Sequence, residues 1–299
     1  MEALISHIQR FSLNDGAGLR TTVFFKGCNM KCAWCHNPET LSAGCSLFLY
    51  KTKCIGCMHC VSACPKKALS LNENGILIDR KNCVLCVTCC GVCYPKALVL
   101  CGTKMTVDKI ISEIMQDEAY YKASGGGVTL SGGEALCQKD FVNELLDVCN
   151  EKGINTVLET NLNHPFDSIY AILKKFTHIF ADIKIFDDAR HIQWTGVSNK
   201  LIIENLKKLT ALNVPVTVRT PLIPEITDTQ KNLDDIFAFI SGMPGIRKWE
   251  LLNFNPLGAG KYDNLSMANQ FRETKPYSAE SLNSLCAKYG NSGLAVITG

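Results

Sequence analysis

The chain has 299 residues, 46% of them hydrophobic, enough for one large domain or a medium domain with a small one. Its 31 basic and 28 acidic residues leave a net charge of +3, with no basic run or aromatic–basic interleaving, which argues against nucleic acid as a partner. Met1–Arg10 lacks the apolar run of a signal peptide, and no stretch approaches the roughly 18 apolar residues of a membrane span, so a cytoplasmic protein with no membrane partner is expected.

In chain order, Leu19–Lys26 is β-branched and aromatic and reads as a strand. Gly27-Cys28-Asn29-Met30-Lys31-Cys32-Ala33-Trp34-Cys35 follows it as a loop with C-x3-C-x2-C spacing. Tyr50–Leu100 contains an internal repeat. Cys54, Cys57, Cys60, Cys64 and Leu69 recur 29 residues later as Cys83, Cys86, Cys89, Cys93 and Leu98. Two units too small for separate cores point to a module held by what its cysteines bind. Thr106–Tyr121 then reads as a helix, with Thr106 and Asp108 suited to its start. Strands are expected at Val128–Leu130, Ile154–Glu159, His178–Ile185, Val214–Leu222 and Arg247–Phe254. Helices are expected at Gln138–Lys152, Pro165–Phe176, Asn199–Leu212, Thr229–Ser241 and Ser278–Tyr289. Such alternation implies right-handed βαβ units and a parallel sheet. About six units make an α/β fold, an open or partial (β/α)6 barrel whose site lies at the C-terminal strand ends. The expected division is 1–48 and 101–299 for the barrel and 49–100 for the cysteine-rich insertion.

All but three of the 17 cysteines lie between Cys28 and Cys101, inclusive. In a cytosolic chain, such clusters are metal ligands more often than disulfides. A 4Fe–4S cluster takes four thiolates, so Cys28, Cys32 and Cys35 leave one iron open to a small molecule. The alternatives are three buried cysteines or a zinc knuckle, and zinc lacks a fourth ligand, because His36 is adjacent with no spacer to fold back. Gly132-Gly133-Glu134 follows the second strand. Its glycines permit close backbone approach to a ligand, and its carboxylate suits an ammonium, although an ordinary Gly-rich turn reads the same. Asp182 and Lys184 end a strand on one face, as a solvated pair also would. Arg219 lies inside an apolar strand, where a charge is costly unless paired, which favours an active-site role. Asn253, Asn255 and Lys261 follow the sixth strand. Cys45, Cys101, Cys137, Cys149 and Cys286 match no motif and read as buried free thiols.

The C-x3-C-x2-C loop after the first strand resembles the radical S-adenosylmethionine (SAM) enzymes. Asp15-Gly16-Ala17-Gly18-Leu19-Arg20-Thr21 and Cys35-His36-Asn37-Pro38-Glu39-Thr40 are similar to the glycyl radical enzyme activating enzymes, of which the pyruvate formate-lyase activating enzyme is one. Ala17 stands where many members have Pro. The resemblance continues through Ser124–Ala135, Glu159-Thr160-Asn161 and Ala181-Asp182-Ile183-Lys184. It implies that SAM binds the open iron and is reductively cleaved, and that a hydrogen is then taken from a glycine Cα of a partner glycyl radical enzyme. It places Gly132, Gly133, Glu134, Asp182, Ile183 and Lys184 at SAM. Glu159 stands where the family often has Asp, in a cation-binding position near SAM. Arg219 and Asn255 join the site, some relatives having His at the latter position. Trp34 and His36 flank the last ligand and could contact the adenosyl group; for His36 a structural hydrogen bond is the alternative.

The insertion resembles the bacterial two-cluster ferredoxin, in which the fourth cysteine of each run ligates the other cluster. That implies one 4Fe–4S cluster on Cys54, Cys57, Cys60 and Cys93 and another on Cys83, Cys86, Cys89 and Cys64, three clusters in all. Cys90, beside Cys89, is the competing third ligand; spacing favours Cys89. The module would take electrons from an external donor such as flavodoxin or ferredoxin, or dock the partner. A radical SAM enzyme acting on a small molecule, and a polyferredoxin-type electron carrier, are the alternative functions.

Overall fold

A computed structural model describes residues 1–73, 75–290 and 294–299. The chain opens with an antiparallel pair, β1 (Glu2–Ser12) and β2 (Arg20–Phe25). The insertion follows: β3 (Ser46–Leu49), α1 (His59–Ser62), β4 (Leu69–Asn72), β5 (Gly75–Ile78), α2 (Thr88–Gly91) and β6 (Leu98–Cys101). β7 (Thr103–Thr106), α3 (Val107–Ile114) and α4 (Glu118–Ser124) lead back to the main body. There β8 (Gly127–Gly132), α5 (Lys139–Glu151), β9 (Thr156–Thr160), α6 (Tyr170–Leu173) and β10 (His178–Asp182) alternate. α7 (Asp188–Thr195), α8 (Lys200–Leu209), β11 (Val216–Pro221), α9 (Gln230–Ser241) and β12 (Ile246–Leu252) continue the pattern. α10 (Ala259–Leu265), α11 (Ala279–Tyr289) and β13 (Ala295–Thr298) complete it.

The main sheet runs β13-β12-β11-β10-β9-β8-β2-β1-β7 and does not close. The six expected parallel strands are present, and β13 adds a seventh. Period-two alternation divides its faces. Leu158, Ile179, Ala181, Val218, Trp249 and Leu251 are buried toward the helices, each full burial of a large side chain stabilising by about 1.5–3 kcal/mol. Between them Phe180, Thr217, Arg219, Lys248 and Glu250 line the concave face. The sheet therefore encloses a polar lumen where a closed barrel would have a packed core.

Two expected helices are broken. The one expected over Thr106–Tyr121 starts as foreseen, with the Thr106 hydroxyl accepting from Lys109 N. It breaks at Met115–Asp117 because the Asp117 carboxylate turns inward to accept from Thr21 Oγ1 (2.7 Å) and Arg10 Nε (2.9 Å). The helix expected over Pro165–Phe176 is a 3-10 turn followed by the short α6. Among the described residues no helix is long and apolar enough to cross a membrane.

The insertion is rooted at the Ser46↔Cys101 pair of β3 with β6, slightly outside the expected 49–100. Its repeat is structural as well as sequential. Positive φ recurs at the 29-residue offset in Gly56 and Leu85, Met58 and Val87, and Lys67 and Lys96. The Cys64 and Cys93 sulfurs accept from Ala68 N and Ala97 N, both at 3.2 Å.

Candidate active site

The loop carrying Cys28, Cys32 and Cys35 leaves the C-terminal end of β2 and is held on every side. Gly27 N donates to Thr40 O (2.7 Å), closing the loop's base. Lys31 N and Ala33 N donate to Thr195 O and Trp194 O at the end of α7. Beneath it the buried Lys26 ammonium donates to Glu39 O at 2.6 Å. Burial pushes the Cys28 and Cys32 thiols up and the Cys35 thiol up to about 12. Sulfurs this desolvated ionise when a metal replaces the proton. Among the described residues no three His, Cys, Asp or Glu side chains stand close enough to hold a single ion. The donor set, three thiols on one loop, fits a multi-iron cluster.

These cysteines line an open cleft of about 410 Å³. Trp34, His36, Gly132, Gly133, Glu159, Asp182, Lys184, Arg219 and Asn255 line the same cleft. Lys184 Nζ donates to Asp182 Oδ2 at 2.6 Å. Burial alone would favour losing the Lys184 proton, but Asp182 and the Cys32 and Cys28 sulfurs outweigh it, and the ammonium's pKa is raised. Arg219 bridges Glu159 and Glu250 and lies over the Phe180 ring, 3.4 Å from its centroid. Burial raises the Glu159 carboxyl, with the Arg219 charge opposing the rise. Ser131 donates to the same carboxylate.

Two expected site residues do not reach the cleft with their side chains. The Glu134 carboxylate, 1% exposed, accepts from Thr160 Oγ1 (3.0 Å), Asn161 N (2.8 Å) and Leu136 N (3.2 Å). It braces the loop after β9 and is not free to meet an ammonium. Ile183 sits between Asp182 and Lys184, so strand alternation turns it into the core, and its N–H is spent on Arg219 O. The glycines, which line the cleft, also serve the packing beneath it. A Cβ on Gly133 would lie 2.4 Å from Gly27 O, and one on Gly132 2.3 Å from Phe25 N and O. Their close approach is to β2 and the cysteine loop. Asn253 lines the cleft but is committed to the Tyr277 backbone, and Lys261, which does not line it, pairs with Asn37 at its edge and with Glu39.

Asn161 is a site residue that sequence reasoning did not single out. Its side-chain amide donates to Cys28 Sγ (3.8 Å) and Asn29 Oδ1 (2.9 Å). Its place beside Glu159-Thr160 was the available signal. Of the five unassigned cysteines, Cys101 and Cys149 are buried and Cys45 and Cys286 half-buried. Cys137 is exposed, on the 3-10 turn whose opposite side buries Leu136.

The insertion holds two further cysteine-lined cavities. One is lined by Cys54, Cys57, Cys60 and Cys93, the other by Cys64, Cys83, Cys86 and Cys89. Each brings three cysteines of one repeat to the fourth of the other. Cys90 lines neither.

The sequence matches the Radical SAM superfamily over residues 83–245 and the 4Fe-4S binding domain family over 48–70. Neither range contains Cys28–Cys35, which the insertion separates from the rest of the barrel. The chain is 39% identical to the (2S)-3-sulfopropanediol dehydratase activating enzyme of Klebsiella oxytoca, over 91% of this chain and 88% of that one. It is 37% identical to the benzylsuccinate synthase activating enzyme of Thauera aromatica, covering 99% and 92%. To the trans-4-hydroxy-L-proline dehydratase activating enzyme of Clostridioides difficile it is 36% identical, covering 95% of each. A radical SAM methyltransferase structure from Sphaerobacter thermophilus shares the fold, with a TM-score of 0.56 at 11% identity over 99% of this chain and 76% of that one.

Proposed function

The chain belongs to the glycyl radical enzyme activating enzymes of the radical SAM superfamily, and from that premise we propose how its own residues carry the reaction. It is an oxidoreductase that activates a partner glycyl radical enzyme, using SAM and iron–sulfur chemistry. Cys28, Cys32 and Cys35 hold the catalytic cluster. A 4Fe–4S cluster there supplies, when bound, the electron that cleaves SAM and so the radical that takes a hydrogen from the partner's glycine Cα. The Asn161 amide and the Met30 N–H donate to the Cys28 sulfur and disperse its charge. Asp182, Lys184, Asn255 and the Gly132–Gly133 backbone hold the polar end of SAM. Trp34 and His36 border its adenosyl end. Arg219, fixed between two carboxylates, holds a stationary cation between cleft and lumen, and the partner's glycine loop enters through the open lumen.

The two insertion cavities support two further 4Fe–4S clusters with the crossed ligand sets, reduced by an external flavodoxin- or ferredoxin-type donor in the cytoplasm. The observation that carries the reading is the meeting, in one cleft, of three sulfurs from a single loop with Glu159, Asp182 and Lys184 from neighbouring strand ends.

The test is anaerobic. Reduced protein with SAM should yield 5′-deoxyadenosine, and Cys28→Ala should abolish it. With a candidate glycyl radical enzyme added, a glycyl radical signal should appear by electron paramagnetic resonance (EPR). Deoxyadenosine with no glycyl radical across plausible partners would favour a small-molecule substrate. An iron content near ~12 per chain supports three clusters, whereas ~4 would remove the two in the insertion.

A further inference from the structure

Helix α10 lies between the cysteine loop and the insertion, and residues along it engage both. Tyr262 Oη donates to the carbonyl of Cys35 at 2.9 Å. Lys261 Nζ donates to Asn37 Oδ1 at 2.5 Å and pairs with Glu39 Oε1 at 3.0 Å. Gly258, just before the helix, abuts the same segment: a Cβ there would stand 3.3 Å from His36 Nδ1. The segment from the last cysteine to Glu39 is thus fastened to α10 at several points.

On the insertion side, Leu265 is buried with Phe48 and Cys101 at the insertion's root. Arg80 reaches across to donate to Leu47 O (3.0 Å) and Asn264 O (3.4 Å). Strand β3 is the wall between the two sides. Its alternation sends Leu47 and Leu49 to the two cysteine-lined cavities, and Phe48 to Leu265. Packed side chains and hydrogen bonds therefore run without a break from both cavities, through β3 and α10, to the Cys35 carbonyl. A buried phenol must find an acceptor. Here the acceptor is the backbone of a cysteine in the catalytic triplet.

We propose that Tyr262 is a positioning residue of the cysteine loop, and that α10 is the strut through which the insertion sets that loop. The proposal rests on Cys28, Cys32 and Cys35 holding the catalytic cluster. It makes the insertion more than a store of electrons: whatever shifts its root shifts Cys35.

The experiment uses the anaerobically reconstituted holoenzyme and the variants Tyr262→Phe, Leu265→Ala and Arg80→Ala. The readouts are iron content, the EPR signal of the reduced, SAM-bound catalytic cluster, and hydrogen–deuterium exchange across residues 27–41. Tyr262→Phe should keep its iron yet shift the EPR signal and speed exchange in 35–40 severalfold. Leu265→Ala and Arg80→Ala, whose side chains contact the insertion's root, should move the same readouts in the same direction. Adding Leu265→Ala to Tyr262→Phe should add little, since both cut one strut. An unchanged signal and exchange in Tyr262→Phe, or effects of Leu265→Ala and Arg80→Ala confined to the insertion, would overturn the proposal. If Leu265→Ala does not fold, Arg80→Ala alone decides the insertion side. A Cys28→Ala protein that keeps its catalytic cluster would instead overturn the ligand assignment beneath it.

Discussion

The Glu134 carboxylate receives the backbone N–H of Asn161 at 2.8 Å, and Asn161 offers its side-chain amide to the Cys28 sulfur at 3.8 Å. A buried acid out of reach of the cleft therefore steadies Cys28, the proposed cluster ligand. Glu134→Ala leaves three donors unpaired and should cost about 2–3 kcal/mol. Its Tm should fall by several degrees and the catalytic cluster's EPR signal should broaden. Glu134→Gln, which keeps one acceptor oxygen, should do less of both.

Asp182 holds the Lys184 ammonium at 2.6 Å in the cleft. Asp182→Asn removes a charge-assisted hydrogen bond and should weaken SAM binding about tenfold, or roughly 1.4 kcal/mol, with iron content unchanged. Titrating SAM into the reduced enzyme while following the EPR signal measures this directly. Equal affinity in the variant would remove the pair from the SAM site.

The crossed cavities make a pairing prediction. Cys93→Ser and Cys57→Ser should deplete the same cluster, and Cys64→Ser and Cys86→Ser the other, each loss amounting to about four irons. Cys90→Ser should lose none. Iron analysis combined with redox titration of each variant separates the two sets, and straight pairing within a repeat would show as the opposite grouping.

His178 is pushed down to about 4 by burial, with Lys248 and Arg219 adding to the shift. In the folded protein it stays neutral while the unfolded chain takes up a proton below about 6.5. Its contribution is therefore fully present above pH 6.5 and is lost as pH falls toward 4. Thermal unfolding from pH 7.5 to 5.5 should show a smaller decline for His178→Gln than for the parent. Parallel curves would remove His178 from the acid response.

The 29-residue repeat of the insertion's cysteines was legible in their spacing, whereas the crossed grouping came from the resemblance to the two-cluster ferredoxin, since spacing alone does not tell crossed from straight pairing. The six central parallel strands were legible because each carries an apolar face long enough to show. Strand β1 was missed because its apolar residues, Ala3, Leu4, Ile5, Ile8 and Phe11, follow no period-two alternation. β13 is short and mostly exposed, so only its pairing with β12 defines it. The break in the helix at Met115–Asp117 could not be read locally, since Arg10 and Thr21, which draw Asp117 inward, lie about a hundred residues away. Glu134 was misjudged for a related reason. A motif tells which residues lie near a ligand, while the direction a carboxylate faces depends on donors from a neighbouring strand end.

The left-handed residues of the insertion have a consequence for how the protein ages. Met58, Lys67, Leu85, Val87 and Lys96 each hold a conformation that disfavours a side chain by about 1–2 kcal/mol. Elements of four residues offer little to offset it, so the clusters proposed for the insertion would have to. Oxygen that dismantles the clusters would then release this segment first, leaving the barrel intact and the insertion open to proteases.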